Sequence, residues 1–109
     1  MKLRRVLFVC SRNRLHSPTA EQVFSGWPGI EVDSAGLADD ADVVLCPEQL
    51  AWAEFVIVME AAHRRRLQSR SRGQLKGKRV VCLDIPDHCT FMQVELVALL
   101  LKKVGPLLS

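Results

Sequence analysis

The sequence VLFVC at residues 6–10 is the feature from which the predicted fold follows. An unbroken apolar run of this kind is typical of a strand that is buried on both faces of a sheet. Two similar runs, FVIVM at residues 55–59 and VVCL at residues 80–83, predict two more such strands. A shorter apolar segment at residues 30–32 predicts a further strand, which ends at the turn-forming sequence DSAG.

Helical patterns separate these predicted strands. The clearest begins with Ser17 as the N-cap and Pro18 as the first helical residue, and apolar side chains then recur at helical spacing up to Trp27. The predicted helices cover residues 17–27, 47–53, 61–72 and, from 91 or 92, the chain up to 103. Strands that alternate with helices in this way predict an α/β fold, in which a four-stranded parallel sheet lies between two layers of helices.

The composition is that of one globular domain, which we expect to span residues 1–109. Apolar residues make up 49% and charged residues 25% of the chain, which excludes a disordered or fibrous protein. The longest apolar run, at residues 96–101, is much shorter than the roughly 20 residues that cross a bilayer. The N-terminal apolar run is shorter than the roughly 7–15 residues of a secretory signal. We therefore expect a cytoplasmic protein without a membrane partner.

The formal net charge of +3 comes from one segment of the chain. Residues 61–83 contain no acidic residue and eight basic ones, which are Arg64, Arg65, Arg66, Arg70, Arg72, Lys76, Lys78 and Arg79. The rest of the chain has seven basic against twelve acidic residues, so it is mildly acidic. Since no aromatic residue interrupts the basic segment to stack on a base, the pattern favours a solvated helix face over a nucleic-acid site.

The loop that follows the first predicted strand carries the strongest chemical signal. Ligands of parallel sheets bind at the carboxyl ends of the strands, and Cys10 ends the first strand shortly before the helix start at Ser17. Backbone N–H groups in a loop folded over a helix N-terminus create an anion site, and the same field stabilises a thiolate. A thiolate beside a bound anion is a nucleophile directed at phosphorus or a similar oxyanion. Outside such a loop, Cys10 would be interpreted as a small apolar core residue.

The segment CSRNRLHSP at residues 10–18 resembles the phosphate loop of the low-molecular-weight protein tyrosine phosphatases, whose pattern is Cys-x5-Arg-Ser. The preceding VLFVC, the S-P-x-A-E that starts at Ser17 and the SAG at residues 34–36 fit the same family in the same order. The resemblance implies a sheet of strand order 2-1-3-4. It also implies a phosphatase that hydrolyses phosphomonoesters, phosphotyrosine among them, through a phosphocysteine intermediate. The implied ligand is a phosphorylated substrate, phosphate or a similar oxyanion, with no metal and no cofactor.

The resemblance also implies roles for individual residues. Cys10 would be the nucleophile, Ser17 would donate a hydrogen bond to its thiolate, and Asp87 would be the general acid that protonates the leaving oxygen. Asp84 is an alternative acid, because the family has Asp-Pro in this region and neither aspartate precedes a proline. Phosphate would be bound by the loop residues Ser11, Arg12, Asn13, Arg14, Leu15 and His16, among which Asn13 would hold the loop in shape.

His16 occupies the position of the family's phosphate-binding arginine. Arginine binds two phosphate oxygens at once and stays charged, whereas histidine donates from one point and is mostly neutral at pH 7. Losing such a contact in a transition state costs roughly 10²–10³ in rate. The substitution supports a second interpretation from another class of protein, a phosphate-binding pseudo-phosphatase that recognises a phosphorylated partner without efficient turnover.

The cysteines support a third interpretation. Their spacing matches no structural zinc site, and we expect all four to be reduced. Cys82 and Cys89 form a Cys-x6-Cys pair, which together with Cys10 resembles the thiol set of the arsenate reductases built on the same fold. In that family the pair follows the third strand, whereas here it lies around the fourth. A thiol oxidoreductase is therefore a further alternative.

Overall fold

Strands and helices alternate along the chain, as the sequence predicts. The computed structural model describes residues 4–10, 16–85 and 94–108, apart from the side chain of His16. Its elements are β1 (Arg4–Cys10), α1 (His16–Phe24), β2 (Ile30–Gly36), α2 (Pro47–Trp52), β3 (Phe55–Val58), α3 (Ala61–Ser71), a 3₁₀ helix (Arg72–Leu75), β4 (Arg79–Cys82) and α4 (Val94–Leu108). The strands form a parallel sheet of order β2-β1-β3-β4, which confirms the predicted fold class and strand order.

β1 is the central strand on which the sheet is built. It pairs with β2 on one side, where Val6 faces Val32, and with β3 on the other side, where Val6 faces Phe55. Residues 6–9 have 0% exposure, because helices cover both faces of the strand and neighbouring strands cover both of its edges. This position explains why β1 is apolar without the alternation of a half-exposed strand.

Two helical layers enclose the sheet. Side chains alternate along β1, so that Phe8 and Cys10 join the core against α1 and α4, whereas Leu7 and Val9 join the core against α2 and α3. Each helical layer thus has its own core on one face of the sheet. The three layers that the sequence predicts are confirmed.

β2 is longer than predicted, because the segment interpreted as a turn continues the strand. The strand runs to Gly36, which pairs with Cys10 of β1. The polar residues Asp33 and Ser34 suggested a turn, but both have hydrogen-bond partners inside the structure. Their polarity is satisfied there, so it does not oppose burial.

Two helices differ from the prediction at their ends. α1 starts at His16, so Ser17 is a helical residue and not the predicted N-cap; its hydroxyl bonds elsewhere. α4 continues past its predicted end to Leu108. Val104 and Leu108 are buried in the core, and this packing outweighs the helical hydrogen bond that Pro106 cannot donate. Within the described ranges, no helix is long and apolar enough to cross a membrane.

Gly105 sets how closely α4 approaches Trp27. A Cβ atom at this position would lie 3.4 Å from the Cη2 atom of Trp27, which is ordinary contact and brings any longer side chain against the indole. We expect Gly105→Leu to lower the free energy of unfolding by about 1–3 kcal/mol through overpacking, measured by urea denaturation. In the matched control Gly105→Ala, stability should stay the same or rise by up to roughly 1 kcal/mol, because alanine favours a helix. Equal stabilities of the two variants would contradict this packing.

Candidate active site

Cys10 lies at the carboxyl end of β1, between the ends of β2 and β3. Its thiol belongs to the core against α1, and the residue is only 6% exposed. Its backbone carbonyl accepts a hydrogen bond from the N–H of Leu37 at 3.0 Å. The sheet therefore fixes the position of the sulfur before any ligand binds.

The hydroxyl of Ser17 lies 2.9 Å from the Sγ atom of Cys10. Ser17 is fully buried in the first turn of α1, and its Oγ atom is also 3.4 Å from the carbonyl oxygen of Ala35. The hydroxyl has one proton, so its direction follows the ionisation of the cysteine. With a thiol, the S–H group points at Ser17 and the hydroxyl donates to Ala35; with a thiolate, the hydroxyl donates to sulfur. Ser17 is thus placed to stabilise a thiolate.

The N-terminus of α1 is a second source of positive potential at this sulfur. α1 begins at His16, one residue before the serine that contacts Cys10. The dipole of a helix favours a negative charge next to its N-terminus. A charge on the sulfur, or on an anion held beside it, is therefore stabilised by the backbone of α1.

The remaining predicted site residues lie outside the described part of the structure. They are Ser11, Arg12, Asn13, Arg14, Leu15, the side chain of His16, and Asp87. Of the predicted catalytic residues, the described part brings Cys10 and Ser17 together. The roles of the others stay predictions.

The carboxylate of Asp84, the alternative general acid, lies next to the thiol of Cys82. The φ angle of 55° at Asp84 falls in the left-handed region, which is uncommon for a residue other than glycine. Its Oδ1 atom accepts a hydrogen bond from the thiol of Cys82 at 3.6 Å. Cys82 packs against the core of α2 and α3, on the opposite face of the sheet from the thiol of Cys10. In this conformation the Asp84 carboxylate is not directed at Cys10.

A polar network that holds α1 and α2 to β2 was missed in the sequence. The hydroxyl of Ser34, which is 3% exposed, donates a short hydrogen bond to Glu21 of α1. Asp33 accepts one from the N–H of Ser34 at 2.9 Å and another from the Nε2 atom of Gln49 at 3.0 Å. One feature of the sequence pointed to this network: Ser17 and Glu21 are four residues apart, so both polar side chains lie on one face of a helix. The network orients the face of α1 that carries Ser17.

The described cysteines do not form a redox pair with Cys10. Cys10 and Cys82 lie on β1 and β4, which are separated by β3, and their side chains belong to cores on opposite faces. Two strand spacings amount to about 9.6 Å, whereas disulfide-bonded Cα atoms lie within about 7 Å. Cys89 lies outside the described residues. Among the side chains that the structure describes, no cluster of three or more ligating residues could hold a metal ion.

Comparisons with known proteins identify the fold of this chain. No protein-family model and no curated protein matches the sequence. Vibrio vulnificus Wzb in complex with benzylphosphonate superposes with a TM-score of 0.78, at 20% identity, over 96% of this chain and 97% of that one. The YwlE arginine phosphatase from Geobacillus stearothermophilus gives a TM-score of 0.72 at 21% identity, over 95% and 92%.

A low-molecular-weight protein tyrosine phosphatase from T. tengcongensis is similar in the same way. It has a TM-score of 0.69 and 22% identity, and the match covers 94% of this chain and 99% of that one. The chain therefore has the fold of the low-molecular-weight protein tyrosine phosphatases over nearly its whole length.

Removing the Ser17 hydroxyl should make Cys10 less reactive. We expect Ser17→Ala to slow alkylation of Cys10 by iodoacetamide at pH 7 by about five- to tenfold, because the thiolate loses a hydrogen bond. The rate is followed by mass spectrometry of the peptide that contains Cys10. Ser25→Ala is the control, since the exposed Ser25 hydroxyl donates only to the carbonyl of Gln22. An unchanged alkylation rate in a folded Ser17→Ala protein would show that this contact does not support the thiolate.

Proposed function

We propose that this protein is a cysteine-dependent phosphatase that hydrolyses phosphomonoesters through a phosphocysteine at Cys10. The observation that carries the proposal is the 2.9 Å contact between the sulfur of Cys10 and the hydroxyl of Ser17, at the carboxyl end of the central strand. The contact lies beside the N-terminus of α1, where a thiolate and a phosphate dianion are both stabilised. The phosphatase fold of the chain supports the same reaction.

The reaction has two steps. In the first, the Cys10 thiolate attacks phosphorus, the bond from phosphorus to the leaving oxygen breaks, and Asp87 gives its proton to that oxygen. In the second, the Asp87 carboxylate takes a proton from a water molecule, whose oxygen attacks phosphorus. The bond from phosphorus to sulfur then breaks, inorganic phosphate forms, and the hydroxyl of Ser17 donates to the departing thiolate.

The phosphate would be held by the loop between β1 and α1. In this proposal, main-chain N–H groups of residues 11–16 and the N-terminus of α1 would supply the positive field, so the mechanism would need no metal. Arg12 and Arg14 would add positive charge to this loop. The benzylphosphonate bound to Vibrio vulnificus Wzb is a phosphate-like ligand on the same fold, which supports an oxyanion as the ligand here.

Asp87 is the better candidate for the general acid. The carboxylate of Asp84 accepts a hydrogen bond from Cys82 on the face of the sheet opposite to the thiol of Cys10. Asp87 follows three residues later in the sequence and remains the predicted general acid. A general acid must come within hydrogen-bond reach of the leaving oxygen.

Phosphate binding without turnover is the second candidate function, and His16 is the observation that favours it. Backbone N–H groups hold the ground-state anion as well as the transition state, so they support binding whichever side chain stands at position 16. The fork of an arginine adds contacts to the oxygens of the transition state, which raise the rate. With histidine in that position, binding is kept and part of the rate is lost.

Substitution of the nucleophile separates these two functions. We expect the wild-type protein to hydrolyse p-nitrophenyl phosphate and Cys10→Ser to abolish the activity, measured by release of p-nitrophenol. Cys82→Ser is the matched control and should keep the wild-type rate, because Cys82 faces the other side of the sheet. A wild-type protein that binds vanadate but releases no p-nitrophenol would instead be the binding module.

Restoring the arginine tests the role of position 16. We expect His16→Arg to raise kcat for p-nitrophenyl phosphate at least about tenfold, because two transition-state oxygens are then bound at once. His16→Lys is the control, since it restores charge without the planar fork, and its gain should be smaller. No gain in kcat with arginine would mean that another residue already binds those oxygens.

A further inference from the structure

A basic groove runs along α3 on the side of β4. It has a volume of about 1050 Å³ and is formed by α3, the 3₁₀ helix and the start of β4. Four of the described residues that line it are basic and none is acidic. The basic ones are Arg64, Arg72, Lys76 and Lys78. Because the rest of the chain is mildly acidic, this is a local concentration of positive charge and not a property of the whole surface.

Part of the basic segment serves the fold and is not available to a ligand. Arg70 donates to the carbonyl oxygen of Leu37 at 2.6 Å, and Lys78 donates to that of Ala53 at 2.5 Å, where α2 ends. The guanidinium of Arg79 lies 5.5 Å from the centre of the Phe55 ring, which is a cation–π distance. These side chains are held by the protein itself.

Three cations of the groove have no such role. No described residue forms a hydrogen bond or an ion pair with the charged groups of Arg64, Arg72 or Lys76, and all three are exposed. Arg64 and Gln68 of α3 and Arg72, which follows α3 directly as the first residue of the 3₁₀ helix, are spaced at intervals of four residues. They therefore lie in a row along this helical segment. The row holds two positive charges with an amide between them.

The dimensions of the groove fit an extended polypeptide. Eight residues of helix separate the backbones of Arg64 and Arg72 by about 12 Å, which is the length of roughly four residues of an extended chain. The groove also contains Leu75 and Val80, which offer apolar contact, and the polar side chain of Ser69. β4 is the last strand on this side of the sheet and pairs with β3 alone among the described strands. Such an edge is a place where extended peptides bind.

The chemistry of the groove favours an acidic peptide over a nucleic acid. No described residue that lines it is aromatic, whereas proteins that bind single strands stack the bases on aromatic side chains. Carboxylates spaced along an extended chain match cations spaced along a helix. The volume is far larger than a single phosphate ion would need.

The groove begins at the catalytic edge of the sheet. α3 starts at Ala61, directly after β3, whose carboxyl end lies next to that of β1 and Cys10. Arg64 is in the first turn of α3, and the groove leads from there towards the start of β4. A chain that lies in the groove therefore approaches the edge where Cys10 stands, and it must pass over that edge to reach the thiol, which faces α1.

We propose that this groove binds an acidic, extended segment of a phosphorylated protein, whose phosphate is presented to Cys10. The identity of that protein as a substrate rests on the proposed phosphatase function. The binding of an acidic segment rests on the groove alone. Two separate measurements therefore test the two parts.

The first measurement is binding. The probe is a fluorescein-labelled octapeptide of alternating glutamate and glycine, titrated with the Cys10→Ser protein at low salt and followed by fluorescence anisotropy. We expect the triple variant R64Q/R72Q/K76Q, made in the Cys10→Ser protein, to bind the probe about tenfold more weakly, because three charge pairs are lost. The matched control R65Q/R66Q/K102Q, made in the same background, removes three exposed charges outside the groove and should stay within about twofold of its parent.

Three results of the binding experiment would overturn the proposal. Equal losses in the two triple variants would mean that the whole basic surface attracts the probe. Binding of a uridine octamer at least as tight as that of the peptide, with the same dependence on the groove, would identify a nucleic-acid site. A dimer that the groove variant abolishes would assign the groove to a second copy of this chain, whose exposed Asp39, Asp40 and Asp42 offer the opposite charge.

The second measurement is turnover. We expect the groove substitutions, in a protein that keeps Cys10, to lower kcat/KM for an acidic phosphotyrosine peptide about tenfold and to leave that for p-nitrophenyl phosphate unchanged. An unchanged kcat/KM for the peptide would show that the groove does not serve the substrate of Cys10. If the wild-type protein turns over neither compound, the phosphatase proposal fails, and the binding titration decides about the groove by itself.

Discussion

The burial of β1 on both faces and along both edges sets the arrangement of the other strands and helices. The side chains of residues 6–9 are removed from water, and each large apolar one contributes roughly 1.5–3 kcal/mol by its burial. A shift of the strand by one residue would turn Leu7 and Val9 towards the wrong helical layer, so the register is strongly specified. Cys10 follows this run directly, so its position at the carboxyl edge of the sheet is fixed. The position of the sulfur is a consequence of hydrophobic packing.

Two hydrogen bonds fix α1 relative to the sulfur of Cys10. Ser17 contacts the sulfur of Cys10, and Glu21, one turn further along α1, accepts a hydrogen bond from Ser34 of β2. Because Ser17 and Glu21 share one face of the helix, the two contacts fix the rotation of α1 about its axis. The N-terminus of α1 is thereby held towards the thiol. The electrostatic environment of the sulfur thus depends on polar groups buried between α1 and β2.

The sequence predicts those features of the fold that depend on the hydrophobic pattern alone. Unbroken apolar runs predict buried parallel strands, and the fold class follows from their alternation with helices. The strand order comes from the resemblance in the phosphate loop, since no hydrophobic pattern specifies which strands are neighbours. The end of β2 was predicted wrongly, because Asp33 and Ser34 carry the signal of a turn when their partners are not known. The role of a polar residue is not known until its hydrogen-bond partner is identified. The position of Ser17 before Pro18 predicted an N-cap, whereas the resemblance to the phosphatases implied a hydrogen bond to Cys10, and in the structure its hydroxyl lies 2.9 Å from the Cys10 sulfur.

In the proposed phosphatase, the fold and the reaction rate depend on different residues. The described contacts that position Cys10 come from β1, from the hydroxyl of Ser17 and from the backbone of α1. We therefore expect a histidine in place of an arginine to leave these described contacts in place. It changes the contacts that a transferring phosphoryl group meets in its transition state, which is where an arginine contributes most. In the proposed reaction, efficient turnover and simple anion binding thus differ in the side chain at position 16, whereas the scaffold that positions Cys10 is common to both.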